Sequence, residues 1–207
     1  MLNALYNDIN WEGVTSIGFD MDGTLYDEYD FIYQVYSEIN HQLIQNEEAL
    51  SFMLHRWLEK GSSYSYIFDE TYKEFSKITI SKDLFIQKAL EVFRTYIPTL
   101  SLTKRNKYLL EYCQNNFNIF LVTDGNKILQ ERKFISLGLS RYFESSNVIL
   151  TGKYASEYHK PSNKSLEFLN LDITRSVFFG DRDKDETFAL SSKMQFQRVY
   201  NMIKVPK

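Results

Sequence analysis

Asp20 and Asp22, in the run Asp20-Met21-Asp22-Gly23-Thr24, are the first side chains whose spacing points to chemistry. On an extended backbone, residues two apart point to the same side, so both carboxylates gather at one strand end. Like charges at that range repel and raise one pKa unless a cation neutralises them. A hard divalent ion such as Mg2+ is the natural partner. One carboxylate can then attack phosphorus while the other, when protonated, gives its proton to the leaving oxygen.

Three further segments carry complementary groups. Thr123 is followed by Asp124-Gly125-Asn126; a hydroxyl and free backbone N–H groups at a helix start suit phosphate oxygens, which makes Thr123, Gly125 and Asn126 candidate substrate contacts. Lys160, in Tyr158-His159-Lys160-Pro161, supplies an ammonium that can pair with the nucleophile and with the phosphoryl charge. In Gly180-Asp181-Arg182-Asp183-Lys184-Asp185, Asp181 and Asp185 can complete the oxygen shell of an ion. Asp183 is expected to be a solvated loop acid, and Asp124 stays outside the catalytic set.

These groups must be positioned by strands. Thr15–Asp20, Asn118–Thr123 and Ser176–Asp181 are short apolar runs that end in acids or a hydroxyl, and Asn147–Leu150 and Gln197–Tyr200 suggest two more. Runs that are apolar throughout suit strands covered on both faces. Residues 126–137 read as a helix stopped by Gly138, and residues 162–170 as another with Pro161 near its start. Alternating strands and helices give a doubly wound parallel sheet, in which ligands bind at the carboxyl ends of the strands. Residues 28–105 break the alternation. Phe31, Ile32, Val35, Tyr36, Ile39 and Leu43 repeat at helical spacing, as do Leu84, Ala89, Leu90 and Phe93, with a break at Gly61. This stretch is expected to be an all-α insert.

The order D-M-D-G-T, V-T-D-G, H-K-P and G-D-R-D-K-D resembles the haloacid dehalogenase superfamily across residues 14–200. The resemblance implies a Rossmann-like catalytic core, residues 1–27 and 106–207, with an inserted all-α cap domain at 28–105. It also implies that Asp20 is the nucleophile, Asp22 the general acid and base, Thr123 the phosphoryl-binding hydroxyl and Lys160 the stabiliser of the charged intermediate. Mg2+ would sit on Asp20, the backbone carbonyl of Asp22, and Asp181, with Asp185 in support. Superfamily dehalogenases lack an acid at the place of Asp22, ion pumps carry Lys where this chain has Met21, and phosphonate hydrolases need a desolvated cap lysine, which nothing marks among Lys60, Lys73 and Lys77. A phosphatase is thus expected, with a sugar-phosphate mutase or a catalytically silent binding protein as alternatives. Ser191-Ser192-Lys193-Met194 departs from the small-residue and Gly pattern of such proteins, a change expected to touch a helix end and not the chemistry.

Bulk properties agree. The 207 residues suit an α/β domain of about 130 residues plus an insert. A net charge of −3 gives no reason to expect a nucleic acid, and a small phosphorylated metabolite is the expected partner. No apolar run reaches the ~18 residues of a membrane span, and the start lacks a signal-peptide layout. The single cysteine, Cys113, excludes an internal disulfide framework, fits a cytoplasmic setting, and is expected to be a packed thiol. His41, His55 and His159 have no ligand spacing. Tyr26, Tyr29, Tyr33 and Tyr36 are expected mainly to pack.

Overall fold

The computed structural model describes residues 1–75 and 78–205. The apolar runs pair where expected, as β1 (Ser16–Phe19), β2 (Asn118–Thr123), β3 (Val148–Leu150), β4 (Ser176–Gly180), β5 (Gln195–Tyr200) and the short β6 (Ile203–Lys204). They form one sheet in the order β3-β2-β1-β4-β5-β6. The first five strands are parallel, and β6 runs antiparallel to β5. This is the Rossmann-like, doubly wound arrangement: the connections leave β1 toward β2 on one side and reach β4 on the other, so the switch point lies at the carboxyl end of β1.

Both faces of the sheet are covered, which is why β1 and β4 are apolar after their opening serines and buried at every position. On one face Phe120, Val122, Phe178, Phe188 and Met194 form a single apolar cluster. On the other, Phe19 stacks on Phe179 with ring centroids 5.4 Å apart, and Tyr6 meets Phe179 edge-on at 4.9 Å. Tyr6 follows the one-turn helix α1 (Leu2–Leu5), and its hydroxyl donates to the Met202 carbonyl.

The chain divides into two compact units, Met1–Glu28 with Leu100–Lys207, and Tyr29–Thr99. The regular elements among the described residues of the second are helices, α2 (Glu28–Ile39, which starts at the last residue of the first unit), α3 (Glu47–Lys60), α4 (Ile67–Glu74) and α5 (Lys82–Thr95). Two details of the insert differ from the helical spacing. Phe31, Ile32, Val35, Tyr36 and Ile39 are buried as a stripe, but Leu43 is only half-buried. The helix widens there into a π-turn at Asn40–Ile44, which shifts the phase of the side chains. In α5 the buried positions are Phe85 and Ala89, four apart, and Leu84 points outward. Asn46 caps α3 by accepting from the Glu48 amide, and Gly61 ends it. Lys60 and Lys73 are exposed; Lys77 lies outside the described residues.

In the first unit α6 (Lys104–Asn116), α7 (Lys127–Ser136) and α8 (Asp183–Ser191) flank the sheet. Cys113 is buried on α6, as its place in the apolar pattern implies, and burial pushes its thiol up to about 12. The helix expected over 162–170 does not form. Only a 3₁₀ segment is present, Lys164–Phe168. Leu166 and Leu169 bond back to Asn163 and Leu166 in the tight i→i+3 pattern. Ser162 and Asn163 are residues that draw backbone bonds locally, and Phe168 turns to stack on Tyr154 at 4.5 Å.

Candidate active site

Asp20 is the first residue beyond β1. Its amide still donates to the Phe179 carbonyl at 2.9 Å, so β4 fixes the backbone that carries the carboxylate. The register sets Phe19 beside Leu121 and Phe179, so the tips of β1, β2 and β4 end within a few residues of each other. Lys160 reaches this point from the loop after β3. Its fully buried Nζ lies 2.5 Å from Asp20 Oδ1 and 2.5 Å from Asp185 Oδ1. Asp185 sits in the first turn of α8, where its other oxygen accepts from the Arg182 amide.

Asp181 lies over Gly23. A Cβ at Gly23 would sit 2.5 Å from Asp181 Oδ2, and the backbone there has φ +73°, so both space and conformation require glycine. Arg182 pairs with Asp181 at 3.5 Å and with the buried Glu28 at 2.6 Å. Asp181 Oδ1 is nevertheless buried without a hydrogen-bond partner. Asp20, Asp181 and Asp185 each offer a carboxylate oxygen within 4.8 Å of the others.

This set is short of positive charge. Burial drives the Asp20 carboxyl above the carboxylate range; Lys160 offsets part of this, while Asp185, Asp181 and Asp22 add to it. Burial also raises Asp181. Lys160 is held above its usual value: burial alone would lower it, but Asp185, Asp20 and Asp124 overcome that. A cation bound by the three acids would give Asp181 Oδ1 a partner and hold the carboxylates ionised. Donors of this kind, all oxygen, suit Mg2+.

Asp22 has different surroundings. Its Oδ1 accepts from the Tyr26 hydroxyl and from Lys133 Nζ at 2.7 Å, and its Oδ2 accepts from Gln130 Nε2 at 2.7 Å. Burial would raise its carboxyl, but Lys133 and the bonds from Gln130 and Tyr26 hold it below the ordinary value. Thr123, at the end of β2, is buried with its hydroxyl accepting from the same Gln130 amide at 3.0 Å. Gly125 and Asn126 are exposed beyond it, and the Asn126 side chain caps α7 by accepting from the Leu129 amide. Asp183 is exposed and pairs with Arg198.

The sequence patterns give no role to Gln130, Lys133, Glu28 or Arg182, and they assign Tyr26 to packing, whereas its hydroxyl also donates to Asp22. One signal was available. Leu129, Gln130 and Lys133 form the buried face of α7, so a glutamine and a lysine occupy an apolar stripe. Buried polar groups need partners, and Asp22 is the partner of both.

A parallel sheet with acids, a hydroxyl and an ammonium converging at the carboxyl ends of its central strands is the architecture of an enzyme with its chemistry at the switch point. The chain matches the haloacid dehalogenase-like hydrolase family over residues 17–199 and belongs to that family. It is therefore a hydrolase of the haloacid dehalogenase superfamily. It is 28% identical over 188 residues to a glyceraldehyde 3-phosphate phosphatase from Methanocaldococcus jannaschii, covering 83% of this chain and 78% of that one. Among solved structures, a Thermotoga maritima protein assigned provisionally as a beta-phosphoglucomutase superposes with TM-score 0.70 at 20% identity, over 93% of this chain and 88% of that one. A Bacillus subtilis protein provisionally assigned as a HAD-hydrolase, YfnB, bound to magnesium, superposes with TM-score 0.66 at 15% identity, over 88% and 85%. No helix among the described residues is long and apolar enough to cross a membrane.

Proposed function

We propose that this hydrolase is a Mg2+-dependent phosphatase of small phosphomonoesters, acting through a phosphoryl-aspartate on Asp20, with Tyr29–Thr99 serving as a cap. The observation that carries this reading is the contact of one buried ammonium, Lys160, with Asp20 in a site that holds more carboxylates than cations. Mg2+ would be held by Asp20, Asp181 and the carbonyl of Asp22, supported by Asp185, and would supply charge neutralisation for the phosphoryl group.

In the first step an Asp20 oxygen bonds to phosphorus, the bond from phosphorus to the ester oxygen breaks, and Asp22 gives that oxygen a proton. In the second, water attacks phosphorus, Asp22 takes its proton, and the Asp20–phosphorus bond breaks, releasing phosphate. Held as a carboxylate by Lys133, Asp22 suits the second step. The first requires it protonated, and the negative charge of a bound ester favours that state. Lys160 and the Thr123 hydroxyl face the phosphoryl oxygens, where most phosphoryl-transfer catalysis originates.

The similarity to a glyceraldehyde 3-phosphate phosphatase makes triose and other sugar phosphates the first substrates to try. The test is phosphate release across a panel of nucleotides, sugar phosphates and phosphoglycolate, with Mg2+ and with EDTA. Metal-dependent release from a small ester is expected. Conversion of a sugar phosphate to its isomer without release would replace the phosphatase reading with a mutase.

A further inference from the structure

Asp124 joins three chain segments that carry the site. Its Oδ1 accepts from the Thr151 hydroxyl at 2.8 Å and from the Lys160 backbone amide at 3.1 Å. Its Oδ2 accepts from Lys184 Nζ, on α8, at 2.9 Å. Its own carbonyl accepts from Gln130 Nε2, the amide that also bonds Thr123 and Asp22. A single carboxylate thus ties the loop after β2 to the loop carrying Lys160 and to the helix carrying Asp185.

A second contact, made by backbone, fixes the same two loops. A Cβ at Gly152 would lie 2.0 Å from the Gly125 carbonyl oxygen and 2.9 Å from the Lys127 nitrogen. Only glycine lets the 151–160 loop approach the loop after Thr123 so closely. The two loops are therefore braced at Gly152 and bonded at Asp124. Lys160 is surrounded by the carboxylates of Asp20 and Asp185, but those bonds hold only its tip. The bond from its main-chain N–H to Asp124 fixes where its long side chain starts.

We infer that Asp124 is the positioning residue for Lys160, holding the backbone of the 151–160 loop so that the ammonium meets Asp20. The bonds of Asp124 go to Thr151, the Lys160 amide, Lys184 and Gln130 and not to Asp20, so it acts through Lys160. A misplacement of about 1 Å in a catalytic group costs on the order of 100-fold in rate. The kinetic consequence rests on the phosphatase reading, whereas the placement of the loop does not.

The test compares wild type, Asp124→Ala and Asp124→Asn by steady-state kinetics on para-nitrophenyl phosphate with Mg2+ and by amide hydrogen exchange. In Asp124→Ala, kcat is expected to fall on the order of 100-fold with KM within about 3-fold. Exchange across 151–160 should speed up while β1 and β4 keep their protection. Asp124→Asn keeps an oxygen acceptor and should stay within about 10-fold of wild type, with protection of 151–160 retained. Should the alanine variant fail to fold, Thr151→Val removes one of the bonds to Asp124 and should speed exchange in the same segment. Unchanged kcat and unchanged exchange in Asp124→Ala, or faster exchange spread evenly over the chain, would overturn the inference. If wild type releases no phosphate from any ester, the phosphatase reading fails, and the exchange experiment alone decides the role of Asp124.

Discussion

The ammonium of Lys160 stands 2.5 Å from Asp20 Oδ1, although the two residues are 140 positions apart in the chain. Both are almost fully removed from solvent. An ion pair so placed needs its charges matched, because an unpaired buried charge is far costlier than a well-formed pair is helpful. Here one ammonium faces Asp20 and Asp185 together, an imbalance that a bound cation would relieve.

Replacing Lys160 with Met should therefore both stop turnover and weaken the fold. Removing one partner of a buried pair costs about 3–5 kcal/mol. Urea unfolding should show that loss without metal and partial recovery with Mg2+, as expected for an ion that binds the folded state and not the unfolded chain. Equal stability of the two proteins in EDTA would contradict the charge imbalance.

Lys133→Met should leave Asp22 with Tyr26 and Gln130 alone. The turnover number should drop roughly 10- to 100-fold, most for esters with poor leaving groups, since those depend on proton transfer. Lys133→Arg should recover part of it. Identical losses for good and poor leaving groups would separate Lys133 from proton transfer.

How much of this was legible in sequence depended on the range of the interaction. Strand tips were readable because an apolar run stopping at an acid, as at Phe19-Asp20 or Gly180-Asp181, reflects only local chain geometry. The neighbours of those acids were not, because Gln130 and Lys133 meet Asp22 across more than 100 residues. The role of Asp124 is hidden from sequence for the same reason: a polar residue after a strand is ordinarily solvated, and its partners at 151, 160 and 184 come from three later segments. The 162–170 stretch misled because its apolar spacing is served by ring stacking of Phe168 on Tyr154 and Tyr158 instead of by a helix.

The helix-end departure noted in the sequence has a measurable cost. Lys193, exposed just beyond α8, holds φ +61°, where a glycine would rest without strain. Lys193→Gly should stabilise the protein by about 0.5–1 kcal/mol, the relief of left-handed strain less the added chain entropy. Thermal melting should rise by roughly 1–4 °C. A lower melting temperature would show that the lysine is favoured there.

Cys113 should resist thiol reagents in the native protein and react fully once it unfolds, because its thiol is buried and pushed up to about 12 from 9.0. The raised folded value also sets a sign. Its contribution to stability is intact below the unfolded value of 9.0 and is lost as pH rises from there toward about 12. Rapid labelling at neutral pH would contradict the burial.

The most direct measurement is acid-quenched labelling with a substrate carrying radioactive phosphate, followed by peptide mapping. Wild type is expected to carry a hydroxylamine-sensitive label on the peptide containing Asp20, and Asp20→Asn to carry none and release no phosphate while remaining folded. Undiminished phosphate release by Asp20→Asn, or a label mapped to another residue, would contradict the central claim.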